Sequence, residues 1–217
     1  QSDRRQLLAL QQREQPGAAI DYLRTLPRAA EPGTRFNYNT AETFLLGAML
    51  AGAIRRPLSN YLSEKIWRPC GMESDAYWQL ESEGGQEFAG SGLSATLRDY
   101  ARFGAFVLAD GVVGGARVLP EGWIAESTAV VPTSIHAPGK LAGFEPLGYG
   151  HQWWTFPVPA GRRVFGALGI FGQQLYIDVD EELVIVLHSA WPEPVFEPSR
   201  LESYVFFDAA TRALRGV

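Results

Sequence analysis

The sequence is poor in cysteine and histidine, and each shortage excludes a kind of chemistry. Cys70 is the only cysteine in 217 residues, so no disulfide can form within the chain. His136, His151 and His188 have no histidine or cysteine three or four residues later, which argues against a zinc site. Apolar runs of membrane-spanning length are also missing. The net charge of −5 argues against binding to nucleic acid, which needs a basic surface.

The residues that are present fit a soluble globular protein. Apolar residues make up 46% of the chain and charged residues 20%, and six Trp, eight Tyr and twelve Phe can fill a core. The length allows one or two domains. The sequence begins at Gln1 without an initiator methionine or an apolar leader segment, so we expect a processed or partial chain. These features leave the compartment open between periplasm and cytoplasm.

The first 130 residues are predicted to be mainly helical. Apolar residues recur at helical spacing over 18–26 and 41–54, and Asn39 or Thr40 can cap the second of these helices. Pro57, Thr96 and Pro120 mark the starts of three more helices. Residues 131–146 are rich in proline and glycine and lack periodicity, so we expect a lid there.

The last third is predicted to form strands and a closing helix. Alternating or continuous apolar residues predict strands over Tyr149–Phe156, Val164–Ala167, Gln173–Val179 and Leu183–Trp191. The last of these is continuously apolar, which is typical of a buried strand. Ser199–Leu214 has helical spacing. Helices followed by an antiparallel meander and a terminal helix indicate an α+β fold.

Two short stretches carry a resemblance to a known family. Pro32–Thr40 reads PGTRFNYNT and precedes an apolar helix, and Gly169–Gln174 reads GIFGQQ and precedes two strands ending in Ser189-Ala190-Trp191-Pro192. In order and spacing they resemble the C-terminal part of the serine β-lactamase-like superfamily, especially the class C-like esterases and the 6-aminohexanoate-dimer hydrolases. The resemblance implies a β-lactamase/transpeptidase-like fold, an antiparallel sheet flanked by helices, here without its N-terminal part.

The resemblance also implies roles for individual residues. Tyr38 matches the Tyr of the family's Y-x-N element, so it would take the proton of a nucleophilic serine and later protonate the leaving group. A tyrosine ordinarily has a pKa of about 10, so a nearby lysine would be needed to favour the phenolate. The backbone N–H of Gln173 would donate to the oxyanion. Asn39 and the strand triplet Ile170-Phe171-Gly172 would border the substrate, and Gly172 would allow its close approach.

Three positions depart from the family pattern. Thr40 stands where Y-x-N has asparagine, so one contact to a substrate amide is lost. Ile170 and Phe171 replace the Lys and Thr of a K-T-G triplet, which hold a substrate carboxylate in β-lactamases. The apolar pair argues against penicillins and favours a neutral ester or amide. Taken without the family, Tyr38 could instead be a core aromatic residue, and Asn39 could be a helix cap rather than a substrate contact.

The chain has only two lysines, and neither fits the family's S-x-x-K nucleophile motif. Leu62 lies three residues before Lys65, and Ala137 three residues before Lys140, where the motif needs serine. The resemblance therefore implies that the nucleophilic serine and its lysine lie upstream of Gln1. Residues 1–217 would be the C-terminal portion of one hydrolase domain, with a helical region over about 18–130 and a sheet with its closing helix over about 147–215. Such a portion would have a free sheet edge.

Three functions are compatible with this pattern. The first is a serine hydrolase that cleaves a small ester or amide through an acyl-enzyme, uses no cofactor or metal, and needs the missing N-terminal segment as its partner. The chain alone would be inactive. The alternative is a non-catalytic, penicillin-binding-like relative that binds a ligand, for which the altered Thr40 and Ile170-Phe171 positions speak. A purely structural interaction domain is least favoured, because it would not need the Tyr38 and Gly172-Gln173 elements in this order.

Overall fold

Two structural units make up the chain in the computed structural model, which describes Ala9, residues 15–130 and residues 147–216. The first unit combines Gln1–Pro32 with Tyr38–Thr96, and the second combines Gly33–Asn37 with Leu97–Val217. The predicted lid over 131–146 lies outside the described residues. The grouping of the whole chain into one hydrolase domain stays a prediction.

The first unit is mainly helical. Its elements are α1 (Ala18–Thr25), α2 (Thr40–Ile54), α3 (Leu58–Leu62), a π-helical turn (Ser63–Trp67), β1 (Tyr77–Trp78) and β2 (Leu93–Ser94). The core joins Ala19 of α1 to Phe44 of α2 and to Phe88, whose ring lies 5.0 Å from that of Phe44. Gly47 lets the chain at Ala89 approach α2, because a Cβ at position 47 would lie 2.1 Å from the Cβ of Ala89.

The second unit is built around a five-stranded antiparallel sheet. Its elements are α4 (Leu97–Leu108), β3 (Val112–Val113), β4 (Ala116–Arg117), α5 (Trp123–Ser127), β5 (Gly148–Tyr149), β6 (Trp154–Thr155), β7 (Val164–Leu168), β8 (Gln174–Asp178), β9 (Leu183–Leu187) and α6 (Glu197–Arg215). The sheet runs in the order β5-β6-β7-β8-β9, and β3 pairs with β4 in a separate hairpin. All five residues of β8 are buried.

Helices cover both faces of this sheet. On one face α4 packs against β8 and β9. Gly104 permits this approach, because a Cβ there would lie 2.5 Å from the side chain of Val184. On the other face Tyr176 of β8 stacks on Phe207 of α6, with the ring centroids 4.5 Å apart. The predicted α+β fold, an antiparallel sheet flanked by helices, is confirmed.

Two of the predicted strands differ from the structure. The predicted strand Tyr149–Phe156 is a hairpin of β5 and β6, because the chain turns where the Gly150 N–H donates to the Trp153 carbonyl. The predicted strand Leu183–Trp191 ends at Leu187, and its residues are half-buried rather than buried. β9 is less buried because it is the last strand of the sheet, with β8 as its one neighbour among the described strands. The sheet described for this chain therefore has a free edge.

No helix in the described part of the chain is both long and apolar enough to span a bilayer.

Candidate active site

Tyr38 lies in the extended segment that leads into α2. The next residue, Asn39, has an extended backbone (φ −144°, ψ 111°), and its side-chain oxygen accepts a hydrogen bond from the Ala41 N–H at 3.1 Å. Asn39 is therefore the N-cap of α2, as one of the two interpretations of this residue predicts. Tyr38 keeps 39% of its surface exposed, so it is not a buried core residue.

Thr40 is used for packing at the start of α2. A Cβ placed on Gly90 would lie 2.6 Å from the Thr40 carbonyl oxygen and 2.8 Å from its methyl carbon, so the two residues are in close contact. The position where the family motif carries asparagine is thus filled by a half-buried side chain against Gly90. Whether this position contacts a substrate amide stays a prediction from the sequence.

Phe36 belongs to an aromatic cluster of the second unit. Phe36 lies 5.4 Å from the ring of Tyr149 on β5, and Tyr149 lies 4.9 Å from Trp154 on β6. Trp154 is buried, so this cluster is continuous with the core of the sheet. Phe36 is therefore part of the aromatic packing of the second unit.

The triplet Ile170-Phe171-Gly172 forms a turn and not the strand expected from the family pattern. It makes one 3-10 turn in the connection between β7 and β8, closed by a hydrogen bond of 2.7 Å from the Gly169 N–H to the Gln173 carbonyl. Phe171 (φ 63°) and Gly172 (φ 91°) both adopt the left-handed conformation, which breaks the strand here. The side chains of Ile170 and Phe171 are exposed, whereas Gly172 is buried.

Gln173 follows this turn, and its backbone N–H is free to donate a hydrogen bond to a ligand. Its carbonyl accepts from Gly169 and its side chain donates to the Ser189 carbonyl at 2.8 Å. No hydrogen bond between described residues uses the Gln173 N–H. An N–H at the exposed end of a rigid turn can donate to a negatively charged oxygen, which is the role expected for this group.

Charged residues of the second unit collect at the other end of β8. Asp178 is fully buried and pairs with Arg162 at 2.5 Å, and Glu181 pairs with Arg215 of α6. Burial raises the pKa of Asp178, although the nearby Arg162 acts in the opposite direction. The hydrogen bond from Arg215 lowers the pKa of Glu181. Gln173 immediately precedes β8 and Asp178 ends it, so these charged residues lie at the far end of the strand from the turn, whose own residues 169–173 carry no charged side chain.

The two histidines in the described part of the chain contact aromatic rings and do not belong to a metal-binding group. His151 stacks on Trp123 with centroids 6.1 Å apart, and His188 contacts the edge of Tyr100 at 5.6 Å. His136 lies outside the described residues. No group of three or more histidine, cysteine or acidic residues that could hold a metal ion occurs in the described part of the chain.

Sequence reasoning assigned no role to Trp191, which lies beside the turn. A Cβ placed on Gly172 would lie 2.3 Å from the Trp191 indole, so the ring covers this glycine. The left-handed conformation of Phe171 was also not foreseen, because phenylalanine has no preference for it. The available signal was the Trp191-Pro192 pair directly after a long apolar run, a position where a strand must stop.

Comparison with known proteins places these features in a family. The Beta-lactamase family profile matches residues 3–208. A 6-aminohexanoate-dimer hydrolase from Paenarthrobacter ureafaciens is 31% identical over 180 residues, which are 82% of this chain and 45% of that protein. The chain thus spans about half the length of the relatives it matches, or less.

Solved structures give the same result. A Bacillus anthracis protein described as a candidate 6-aminohexanoate-dimer hydrolase superposes with a TM-score of 0.76 at 32% identity, over 91% of this chain and 49% of that one. An octameric penicillin-binding protein homologue from Pyrococcus abyssi shares the fold, with a TM-score of 0.64 at 18% identity over 83% of this chain and 45% of that one. The chain therefore belongs to the Beta-lactamase family of serine β-lactamase-like hydrolases.

Proposed function

We propose that this chain is part of a serine hydrolase that cleaves a small, neutral ester or amide through an acyl-enzyme. The observation that carries the proposal is the rigid turn before β8, in which the Gln173 N–H has no acceptor among the described residues. The nucleophilic serine and its lysine would be supplied by a part of the protein outside this sequence. Membership of the family supports this assignment.

The proposed reaction assigns Tyr38 the proton transfers. The phenolate of Tyr38 takes the serine proton while the serine oxygen attacks the substrate carbonyl. The carbonyl oxygen becomes an oxyanion, which accepts hydrogen bonds from the Gln173 N–H and from the serine's own N–H. Tyr38 then gives the proton to the leaving alcohol or amine as the acyl bond breaks. Water attacks the acyl-enzyme by the same steps and releases the acid and the free serine.

The proposed substrate class follows from the side chains at the turn. Ile170 and Phe171 are exposed and apolar at the position where β-lactamases place polar groups for a carboxylate. They offer contact area to an uncharged chain and no partner to an anion. The relative from Paenarthrobacter ureafaciens carries the name 6-aminohexanoate-dimer hydrolase, which supports an amide as the bond that is cleaved but not the absence of charge.

One edge of the described sheet, β9, is the proposed attachment point for the rest of the protein. β9 has one neighbour, β8, among the described strands, so its outer N–H and C=O groups can pair with another strand. α2 also exposes an apolar face, formed by Leu45, Leu46, Met49 and Leu50. Further parts of the protein that pair with β9 and that cover this face of α2 would each bury surface that is exposed in this chain.

Replacement of Tyr38 by phenylalanine tests the mechanism in the longer protein. Loss of the phenol oxygen should lower kcat on a short-chain p-nitrophenyl ester by about 10²–10⁴-fold, the usual contribution of a general acid–base group. Tyr77→Phe is the matched control, because Tyr77 is 74% exposed on β1 in the same unit. Full activity of the Tyr38 variant would remove this residue from the mechanism.

The alternative, a ligand-binding relative without turnover, is supported by Thr40, Ile170 and Phe171, which depart from the family motifs. It predicts saturable binding of a small amide with no product formed. Treatment of the longer protein with a fluorophosphonate, followed by intact-mass measurement, separates the two. A covalent adduct on a serine supports the hydrolase, and binding without adduct or product supports the alternative.

A further inference from the structure

The segment that follows β9 is hydrogen-bonded to the turn that carries Gln173. This segment, Ser189–Pro194, is here called the clasp. The Trp191 N–H donates to the Phe171 carbonyl at 3.0 Å, and the Phe171 N–H donates to the Pro194 carbonyl at 3.0 Å. The Gln173 side chain donates to the Ser189 carbonyl at 2.8 Å. Both backbone groups of Phe171 are thus bound by the clasp.

The indole of Trp191 adds a steric contact to these hydrogen bonds. An ideal Cβ on Gly172 would lie 2.3 Å from Cε2 and 2.5 Å from Nε1 of Trp191, so the ring lies directly over the glycine backbone. Trp191 is half-buried. The turn is therefore held between its own hydrogen bond, from Gly169 to Gln173, and a flat aromatic surface.

The turn needs such support because its backbone is strained. Phe171 has φ 63° and ψ 14°, a left-handed conformation that costs an L-residue about 1–2 kcal/mol. Strained residues persist where the surrounding structure fixes them. Relaxation of Phe171 or Gly172 would rotate the peptide plane that joins Gly172 to Gln173. The direction of the Gln173 N–H therefore depends on the contacts of the clasp.

We propose that Trp191 is a positioning residue, which holds the Gly172–Gln173 peptide so that its N–H points at the oxyanion. This proposal rests on the proposed function. Trp191 acts through Gly172 and takes no part in proton transfer. A misdirected N–H weakens binding of the transition state, where the oxyanion is charged, and leaves binding of the neutral substrate nearly unchanged.

The test measures kcat and KM of Trp191→Ala and Trp191→Phe in the longer protein. Removal of an oxyanion donor lowers kcat by about 10²–10³-fold. We expect Trp191→Ala to lower kcat by about 10-fold or more with KM within about twofold, since an interaction made only in the transition state is lost. Trp191→Phe, which keeps an aromatic surface, should retain more activity. The rate of serine labelling by a fluorophosphonate should fall in parallel with kcat.

Two further variants keep the test decisive. Gln173→Ala removes the side-chain bond to Ser189 but keeps the backbone N–H, so it should show a smaller fall of kcat in the same direction. Trp123→Ala is the matched control, because Trp123 is a partly exposed tryptophan of the same unit that stacks on His151. If Trp191→Ala does not fold, the kcat and KM values of Trp191→Phe and Gln173→Ala test the positioning role instead.

The outcomes distinguish this proposal from the proposed function. If the wild-type protein turns over and is labelled, but the clasp variants keep kcat within about twofold or raise KM alone, the positioning role is wrong and the hydrolase stands. If the wild-type protein shows neither turnover nor labelling, the proposed function fails and the oxyanion role fails with it. Faster hydrogen exchange of the 168–175 peptide in a folded Trp191→Ala variant, together with the expected fall of kcat, supports the proposal.

Discussion

Glu87 is a buried carboxylate that holds the start of α3. Its carboxylate accepts hydrogen bonds from the backbone N–H of Ser59 at 2.9 Å and from the Ser59 hydroxyl at 2.7 Å. Burial acts to raise the pKa of Glu87, but these hydrogen bonds outweigh it, so the pKa is lowered. A lowered carboxyl pKa stabilises the folded state above the ordinary glutamate pKa of about 4.3, and this stabilisation is lost as the pH falls through the folded-state value.

Glu87→Gln should therefore reduce stability at pH 7 more than at acidic pH. We expect a loss of about 1.5–3 kcal/mol at pH 7, the usual contribution of hydrogen bonds to a charged group, and a clearly smaller loss near pH 3. Urea unfolding at the two pH values measures both. Glu83→Gln is the matched control on an exposed residue, with an expected change within about 0.5 kcal/mol. Equal losses at both pH values would contradict the assignment.

Asn39 caps a helix, and variants of this residue can also test whether it contacts the substrate. Its side-chain oxygen caps α2, so Asn39→Ala should lower the free energy of unfolding by about 1 kcal/mol. Asn39→Asp keeps the capping oxygen and places a negative charge at the helix N-terminus, which preserves stability. Thermal unfolding measures both variants.

The activity of Asn39→Asp then separates capping from substrate contact. A variant with unchanged stability and unchanged kcat/KM assigns Asn39 to the cap alone. A variant with unchanged stability but a raised KM shows that the amide nitrogen also touches the substrate. Asn60→Asp is a matched control in the same unit, on α3.

At the level of elements, the sequence predicted the helices better than the strands. α1, α2 and α6 begin and end within about two residues of prediction, because periodic apolar residues mark all three helices and Asn39 marks the start of α2. β9 was predicted too long and too buried, since an apolar run does not show where a strand stops or whether a neighbour covers it. The turn at 170–172 was predicted as a strand, because its conformation depends on contacts with Trp191 and Pro194 and not on local preference.

The same distinction applies to the candidate site. Tyr38, Asn39 and Gln173 were predicted from two short motifs, each made of residues that are contiguous in sequence. Trp191 lies 18 residues after Gln173 and comes next to it only because β8 and β9 form a hairpin. A local pattern such as Trp191-Pro192 can mark the end of a strand, but it does not show which turn the tryptophan contacts through the fold.

At the scale of the whole molecule, the exposed apolar face of α2 gives a measurable expectation. Met49 is 63% exposed and lies on this face with Leu45, Leu46 and Leu50. In the 217-residue chain, Met49→Gln should change stability by no more than about 0.5 kcal/mol, since it removes no buried contact. In a longer protein whose further segment covers this face, the same change should cost about 1.5–3 kcal/mol.

Comparison of the two chain lengths by urea unfolding checks this expectation. Leu97→Gln, at an exposed position at the start of α4, is the control on the other unit. A Met49→Gln effect that is equally small in both chains would show that the face stays uncovered, and would contradict the proposed attachment.

The left-handed backbone of Phe171 has a consequence for how this protein diverges. Asparagine and glycine adopt φ 63° more easily than phenylalanine, so either would relieve strain at position 171. Selection for stability alone therefore favours their appearance, and retention of a bulky side chain there requires an opposing benefit. The residue at position 171 should therefore differ between related proteins according to activity. Relatives that have lost turnover are expected to carry glycine or asparagine there. Relatives that keep turnover are expected to retain the aromatic ring.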